Sequence, residues 1–233
     1  MTSANPAAPR DWTLGDMTFT LPPVLENYVL AHSSGYDAVA AALAAETQAL
    51  GDPAVMMLGK EQFALFRFLC GATGARRALD IGTFTGMSAL AFAQGVGPAG
   101  RVVTVDRTDA WLPIARKHWN AAGVASRIEM RIGEALAVLH ALRDTRAQPF
   151  DIVFIDVDKA RVREYVELAF ELLAPNGVVI VDNALWHGWV LDDTHSDADT
   201  TGMRGFNRAI AADARFESAV LPMADGMVLL RRR

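Results

Sequence analysis

Short apolar runs that alternate with stretches of helical spacing constrain this chain more than any other feature. The runs are Ala78-Leu79-Asp80-Ile81, Val102-Val103-Thr104-Val105, Ile128-Glu129-Met130-Arg131, Ile152-Val153-Phe154-Ile155 and Val178-Val179-Ile180-Val181. Helical stretches lie near 86–94, 110–122, 134–142 and 161–173. Strand–helix–strand alternation predicts a doubly wound, mostly parallel sheet with helices on both faces. Two later strands, about 216–221 and 226–230, are joined by Asp225-Gly226 and predict an antiparallel hairpin at one edge.

Upstream, Pro22 to Leu50 reads as helical, with Leu25, Tyr28, Val29 and His32 on one face and a break at Gly35. Gly51-Asp52-Pro53 stops it, and another helix is expected from about Lys60 to Gly71. Residues 1–20, rich in Pro, Ala, Ser and Thr, read as an extended arm, and 21–233 as one domain.

Composition excludes several classes. With 233 residues, 52% of them hydrophobic, the chain can bury one sizeable core. A net charge of −5 argues against a nucleic-acid partner, and the terminal Arg231-Arg232-Arg233 reads as a solvated end. The single cysteine, Cys70, excludes an intrachain disulfide and reads as a buried small hydrophobe. The opening MTSANPAAPRDW lacks the apolar core of a signal peptide, and no run is long enough for a membrane span. A cytoplasmic protein is expected.

Ligands of such sheets bind beyond the carboxyl ends of the strands, where strand order reverses. The first strand runs into Asp80-Ile81-Gly82-Thr83-Phe84-Thr85-Gly86. Its small residues admit a ligand close to the backbone, and the following helix offers amide donors. Asp80 at that turn suits a cationic amino group and would repel a pyrophosphate. The second strand ends at Asp106, at the spacing of an acidic residue that binds ribose hydroxyls. Either aspartate alone serves equally well as a helix cap, but the pair in this register favours a nucleoside ligand.

The fourth strand leads into Asp156-Val157-Asp158-Lys159 and the fifth into Asp182-Asn183. Adjacent parallel strands would bring Asp156 next to the Asp182-Asn183 pair. Three oxygen donors suit a hard divalent cation such as Mg²⁺, Mn²⁺ or Ca²⁺. Taken singly, Asp156 could instead cap a helix, and Asp182-Asn183 could form a turn.

The segment Ala78 to Ala93 resembles the cofactor motif of class I S-adenosylmethionine-dependent methyltransferases, which have a Rossmann-like fold. From about Leu25 to Arg231 the chain resembles the metal-dependent O-methyltransferases of the caffeoyl-CoA and catechol type, and most of all their small bacterial relatives. The stretches that carry this are Ala54-Val55-Met56-Met57-Leu58, Leu79 to Gly86, Trp111 to Arg116, Phe154 to Lys159, Val181 to Trp186 and Leu221 to Gly226. The resemblance implies S-adenosylmethionine as methyl donor. It places Asp80 at the amino group, Asp106 at the ribose, and Gly82, Phe84 and Ser88 at the carboxylate and amino end. It implies Met56 and Leu58 over the methionine part, the Ala135 backbone near adenine, and Asp158 near the sulfonium. The family usually has Glu where this chain has Asp80, one methylene shorter.

The resemblance further implies Asp156, Asp182 and Asn183 as metal ligands and Lys159 as general base. The acceptor would be a vicinal dihydroxyaromatic small molecule bordered by Tyr165 and Trp186, with Trp189 beside them. The loop with His187, Asp192, Asp193, His195, Asp197 and Asp199 resembles the family's variable substrate lid; as residues alone it reads as a solvated acidic loop. His118 and His140 receive no role. Family members are commonly dimers, so a homodimer is expected. A nicotinamide-dependent reductase on the same fold would show G-x-G-x-x-G and Tyr-x-x-x-Lys, and neither is present. A nucleic-acid base methyltransferase would have an Asn- or Asp-Pro-Pro-aromatic motif after the fourth strand. A non-catalytic binding module would not need Asp156, Lys159, Asp182 and Asn183 together.

Overall fold

The computed structural model describes residues 23–233, so the expected arm at 1–20 lies outside the described residues. Seven strands form one sheet: β1 (Arg77–Ile81), β2 (Arg101–Asp106), β3 (Ile128–Ile132), β4 (Phe150–Ile155), β5 (Leu173–Asp182), β6 (Phe216–Leu221) and β7 (Met227–Arg232). Their order is β3-β2-β1-β4-β5-β7-β6. The first five are parallel, while β7 runs antiparallel to both β5 and β6, as the expected edge hairpin requires.

The helices are α1 (Pro23–His32), α2 (Ala38–Gln48), α3 (Lys60–Thr73), α4 (Met87–Gly95), α5 (Leu112–Ala121), α6 (Ala135–Asp144), α7 (Val162–Leu172) and α8 (Ala198–Ala212). One core lies between the sheet and α6, α7 and α8, with Leu139, Val166 and Phe206 at its centre. The other lies between the sheet and α2 to α5, with Leu43, Phe63, Phe66, Phe92 and Trp119. The central strands β1, β2 and β4 and the second half of β5 are thus buried on both faces, which explains why they read as apolar runs, whereas the edge strands β3 and β6 are mostly exposed or half-buried. Among the described residues, no helix is long and apolar enough to cross a membrane.

The sequence reading placed no helix at 198–212, yet α8 is fifteen residues long. Thr200, Thr201, Gly202 and Gly205 give it weak intrinsic propensity. It forms because the Asp197 side chain caps it, accepting from Thr200 N at 2.9 Å, and because Met203, Phe206 and Ile210 bury a stripe at helical spacing.

Strand order reverses between β1 and β4, and there the backbones nearly touch. Asp156 N donates to Ile81 O at 2.8 Å, and Gly82 N to Val105 O at 2.9 Å. Gly82 has φ +109°, and a Cβ on it would lie 2.0 Å from the Asp156 carbonyl oxygen. Only glycine allows this crossing. Gly97 offers the contrast, with φ +74° and nothing within 4 Å of such a Cβ. Gly82→Ala should therefore cost about 2–4 kcal/mol of stability, combining backbone strain with overpacking. Gly97→Ala should cost only about 1 kcal/mol. Urea denaturation at constant m-value measures both, and equal losses would show that the β1–β4 contact adds nothing.

Candidate active site

All the chemistry-bearing residues singled out in the strands sit at the carboxyl ends of β1, β2, β4 and β5. The innermost is Asp80, fully buried on β1. Its register partner on β2 is Thr104, whose hydroxyl donates to Asp80 Oδ2 at 2.6 Å. Ser88, in the first turn of α4, donates to the same oxygen at 3.0 Å. Asp80 Oδ1 is buried and has no partner. Burial pushes the Asp80 pKa up to about 7, against the lowering effect of the Thr104 and Ser88 hydroxyls. A buried carboxylate with one oxygen free is a fitting receptor for a cationic amino group. Ser88, expected at the ligand's carboxylate and amino end, thus stands beside Asp80 with its hydroxyl bonded to that carboxylate.

Asp106, half-buried at the end of β2, shapes the glycine turn. Its Oδ2 accepts from Phe84 N at 2.9 Å and its Oδ1 from Thr108 N at 3.2 Å. Phe84 is left-handed, φ 47°, and its ring meets Trp111 edge-on at 5.3 Å. Each carboxylate oxygen keeps a second lone pair for a ribose hydroxyl. Ala135 opens α6 just past Gly133, whose N donates to Asp106 O at 2.9 Å, so Ala135 lies beside the same pocket edge. Leu58 is buried, and its carbonyl is held by the Tyr36 hydroxyl at 2.6 Å; Met56 is half-exposed at the end of a 3-10 turn. Burial, with the Glu61 charge, raises the Tyr36 hydroxyl to about 12.

On the other side of the switch point, Ile155 of β4 pairs with Val181 of β5. Asp156 and Asp182 therefore follow on neighbouring strands, about 4.8 Å apart in strand spacing. Asp182 is buried, and its pKa is raised by desolvation first and by the Asp156 charge second. Lys159 Nζ, nearly buried, lies 2.9 Å from Asp156 Oδ1. Gln62 from α3 donates to both oxygens of Asp182 at 3.1 Å, and Asn183 N to Oδ1 at 2.8 Å. Lys159 pairs with Asp156, while Asp182 has neutral donors and no ion pair of its own. Among the described residues no three His, Cys, Asp or Glu side chains group as a metal site. Asp156, Asp182 and the amide oxygen of Asn183 are the oxygen donors the fold gathers here, and this set fits a hard divalent cation.

Asp158 is exposed and accepts the Tyr165 hydroxyl at 2.6 Å. Tyr165 was expected to border the acceptor, but only 3% of it is exposed. It sits in the core beneath α7, and its pKa is raised by burial first and by the bond to Asp158 second. Its place is to hold Asp158. Trp186 is half-buried against the core, with its indole nitrogen unpartnered.

Thr104, Gln62 and Asp199 escaped the sequence reading. Asp199, read as part of a solvated loop, accepts from both Lys159 N and Ala160 N at 2.8 Å. Gly202 packs on the same segment, where a Cβ would come within 2.3 Å of Lys159 O. The one available signal was polarity out of place: Thr104 within Val-Val-Thr-Val and Gln62 beside Phe63.

The doubly wound sheet and its carboxylate-lined switch point define the class: an α/β domain with its site at the strand ends. The O-methyltransferase family profile matches residues 31–233. A probable caffeoyl-CoA O-methyltransferase of Dictyostelium discoideum is 34% identical over 208 residues, 88% of this chain and 90% of its own. A catechol O-methyltransferase of Mycobacterium tuberculosis is 36% identical over 186 residues, 78% of this chain and 81% of its own. The O-methyltransferase from Bacillus cereus in complex with SAH superposes with a TM-score of 0.82 at 31% identity, covering 90% of this chain and 97% of that one. The chain belongs to the O-methyltransferase family.

Asp80 makes a pH-dependent prediction about stability. Between the unfolded aspartate pKa near 4 and the folded value of about 7, the unfolded state is ionised while the folded state keeps its proton. Stability is therefore lost as pH rises across that window and stays low above it. Asp80→Asn should stabilise the ligand-free protein by about 1–3 kcal/mol at pH 8. The gain should vanish near pH 4. Thermal denaturation of both proteins across this range checks it; a pH-independent difference would show that Asp80 carries no ionisation penalty.

Proposed function

We propose that this protein transfers the methyl group of S-adenosylmethionine to one hydroxyl of a vicinal dihydroxyaromatic small molecule. The observation that carries this reading is the corner where Lys159 Nζ meets Asp156, beside the buried Asp182 and the half-buried Asn183. The bound SAH in the Bacillus cereus relative supports the donor, and the names of the Dictyostelium and Mycobacterium relatives support the acceptor class.

In this reading Asp80 Oδ1 takes the amino group of the donor, and its ammonium neutralises the buried carboxylate. Asp106 binds the ribose with the lone pairs its backbone partners leave free. Gly82, Phe84 and Leu58 close around the methionine part, Met56 covers it, the Ala135 backbone borders the adenine, and Asp158 lies toward the sulfonium. Asp156, Asp182 and Asn183 would hold a divalent cation such as Mg²⁺, which when bound lowers the pKa of a chelated phenol and fixes its orientation. Lys159, as free amine, accepts the phenolic proton at Nζ. The phenolate oxygen then bonds the methyl carbon as the carbon–sulfur bond breaks and its electron pair stays on sulfur. Transfer needs oxygen, carbon and sulfur in line, so holding the acceptor is itself a large part of catalysis.

EDTA should abolish transfer and Mg²⁺ restore it. At saturating Mg²⁺, kcat/KM for a catechol should far exceed that of the matched monophenol, because one oxygen alone loses chelation and orientation together. Comparable values for the two acceptors would overturn the chelation mechanism.

Lys159→Ala should lower kcat by about 10²–10⁴-fold, the usual weight of general-base catalysis, with less change in KM. A rise confined to KM would make Lys159 a substrate contact rather than a base.

A further inference from the structure

The segment after Asn183, expected as a variable lid, is held far more firmly than a lid requires. Arg204, in the second turn of α8, directs its guanidinium onto four backbone carbonyls of this segment. Nε donates to Val190 O at 3.0 Å, and Nη2 faces Trp189 O at 2.9 Å, Asp192 O at 2.6 Å and His195 O at 3.0 Å. The side chain is only 13% exposed. One turn further along α8, Asn207 Nδ2 donates to Ala184 O at 2.7 Å. The turn between β6 and β7 grips the near end: Leu185 N donates to Asp225 O at 2.9 Å, and His187 N to Asp225 Oδ1 at 2.8 Å.

These bonds hold a conformation the segment would not keep alone. Asn183, Trp186 and His187 are left-handed, with φ of 59°, 45° and 56°. Each such residue costs on the order of 1 kcal/mol or more unless its surroundings enforce it. The enforced shape lines up aromatic rings: Trp186 meets His187 at 5.5 Å, His187 meets Trp189 at 5.1 Å, and Trp189 stacks on His195 at 4.6 Å. The row begins three residues after Asn183, at the rim of the proposed acceptor site. The same helix that carries Arg204 also carries Asp199, which fixes the Lys159 backbone.

We propose that Arg204 is a specificity-determining positioning residue: it clamps segment 184–195 into a fixed aromatic wall, and so decides which hydroxyl of the acceptor meets the methyl group. The inference rests on the functional reading above. An aromatic diol would present two chemically similar hydroxyls to the Asp156–Asp182 corner, and a fixed wall beside the ring would distinguish its two orientations. A guanidinium reaches several carbonyls in one plane, whereas an ammonium is a compact point donor that cannot hold them all.

The test compares wild type, Arg204→Ala and the more conservative Arg204→Lys with 3,4-dihydroxybenzoate as acceptor. The product ratio of its two monomethyl ethers is independent of how much enzyme is folded. Both variants should shift that ratio toward equality and raise acceptor KM about tenfold through misplacement, with SAH affinity by calorimetry unchanged. Amide hydrogen exchange across 184–195 should accelerate about tenfold or more in both variants. Unchanged exchange would overturn the clamp whatever the activity. A loosened segment with an unchanged product ratio would overturn its role in specificity. A wild-type protein that methylates no vicinal diol would overturn the functional reading, while the exchange rates would still decide the clamp by themselves.

Discussion

A carboxylate removed from water must find donors or give up its charge, and two such carboxylates organise the working end of this sheet. Asp80 and Asp182 are both buried, and both are pushed toward the protonated form. Neighbouring elements are bound to them in consequence. Thr104 on β2 and Ser88 on α4 serve Asp80; Gln62 on α3 and the backbone of Asn183 serve Asp182. Neither is fully compensated. Asp80 keeps an orphaned oxygen, and Asp182 faces the charge of Asp156. Hydrophobic burial sets the sheet, but these unfinished electrostatics make its carboxyl edge a place where cations are welcome.

The parts of this design that follow from local chain geometry were legible in the sequence. β2 and β5 end on an acidic residue, β4 runs directly into one and β1 carries one at its penultimate position, and parallel pairing delivers those residues to one edge without further information. Gly82 was legible as a close approach, but of a ligand; the structure shows that the Asp156 backbone makes it too. Partners from distant elements were not legible. Gln62 and Asp182 lie 120 positions apart, and nothing local to either predicts the bond. Helix α8 was hidden for another reason: its threonines and glycines oppose helix formation, and its stability comes from the Asp197 cap and a buried stripe. With α8 unseen, Asp199 read as a solvated charge and Arg204 had no reading at all. Tyr165, expected at the acceptor, has its ring in the core on α7, and its hydroxyl reaches Asp158.

The resemblance to the family implies Glu at position 80, and the Asp80 found there fits its surroundings. The shorter side chain keeps the carboxylate low on β1, within reach of Thr104, which in turn meets Thr83 at 2.6 Å. A longer side chain would carry the charge past Thr104 toward the ligand. A hydroxyl pair supports this recessed carboxylate and leaves its other oxygen buried without a partner.

Rigidity at the acceptor end has a related logic. In the proposed reaction the methyl group moves along one line, so the proposed base, oxygen donors and wall must share a frame. Asp156 and Asp182 share one through β4 and β5. Lys159 lies on the irregular segment after β4, and the aromatic residues lie on the irregular segment after β5; neither has strand pairing to place it. Helix α8 supplies what pairing does not. Asp199 and Gly202 fix the first segment, and Arg204 and Asn207 fix the second. These four contacts tie the segment that carries Lys159 and the segment that carries the aromatic rings to one helix. The helix hardest to see in the sequence is therefore the element that joins the two halves of the proposed acceptor site.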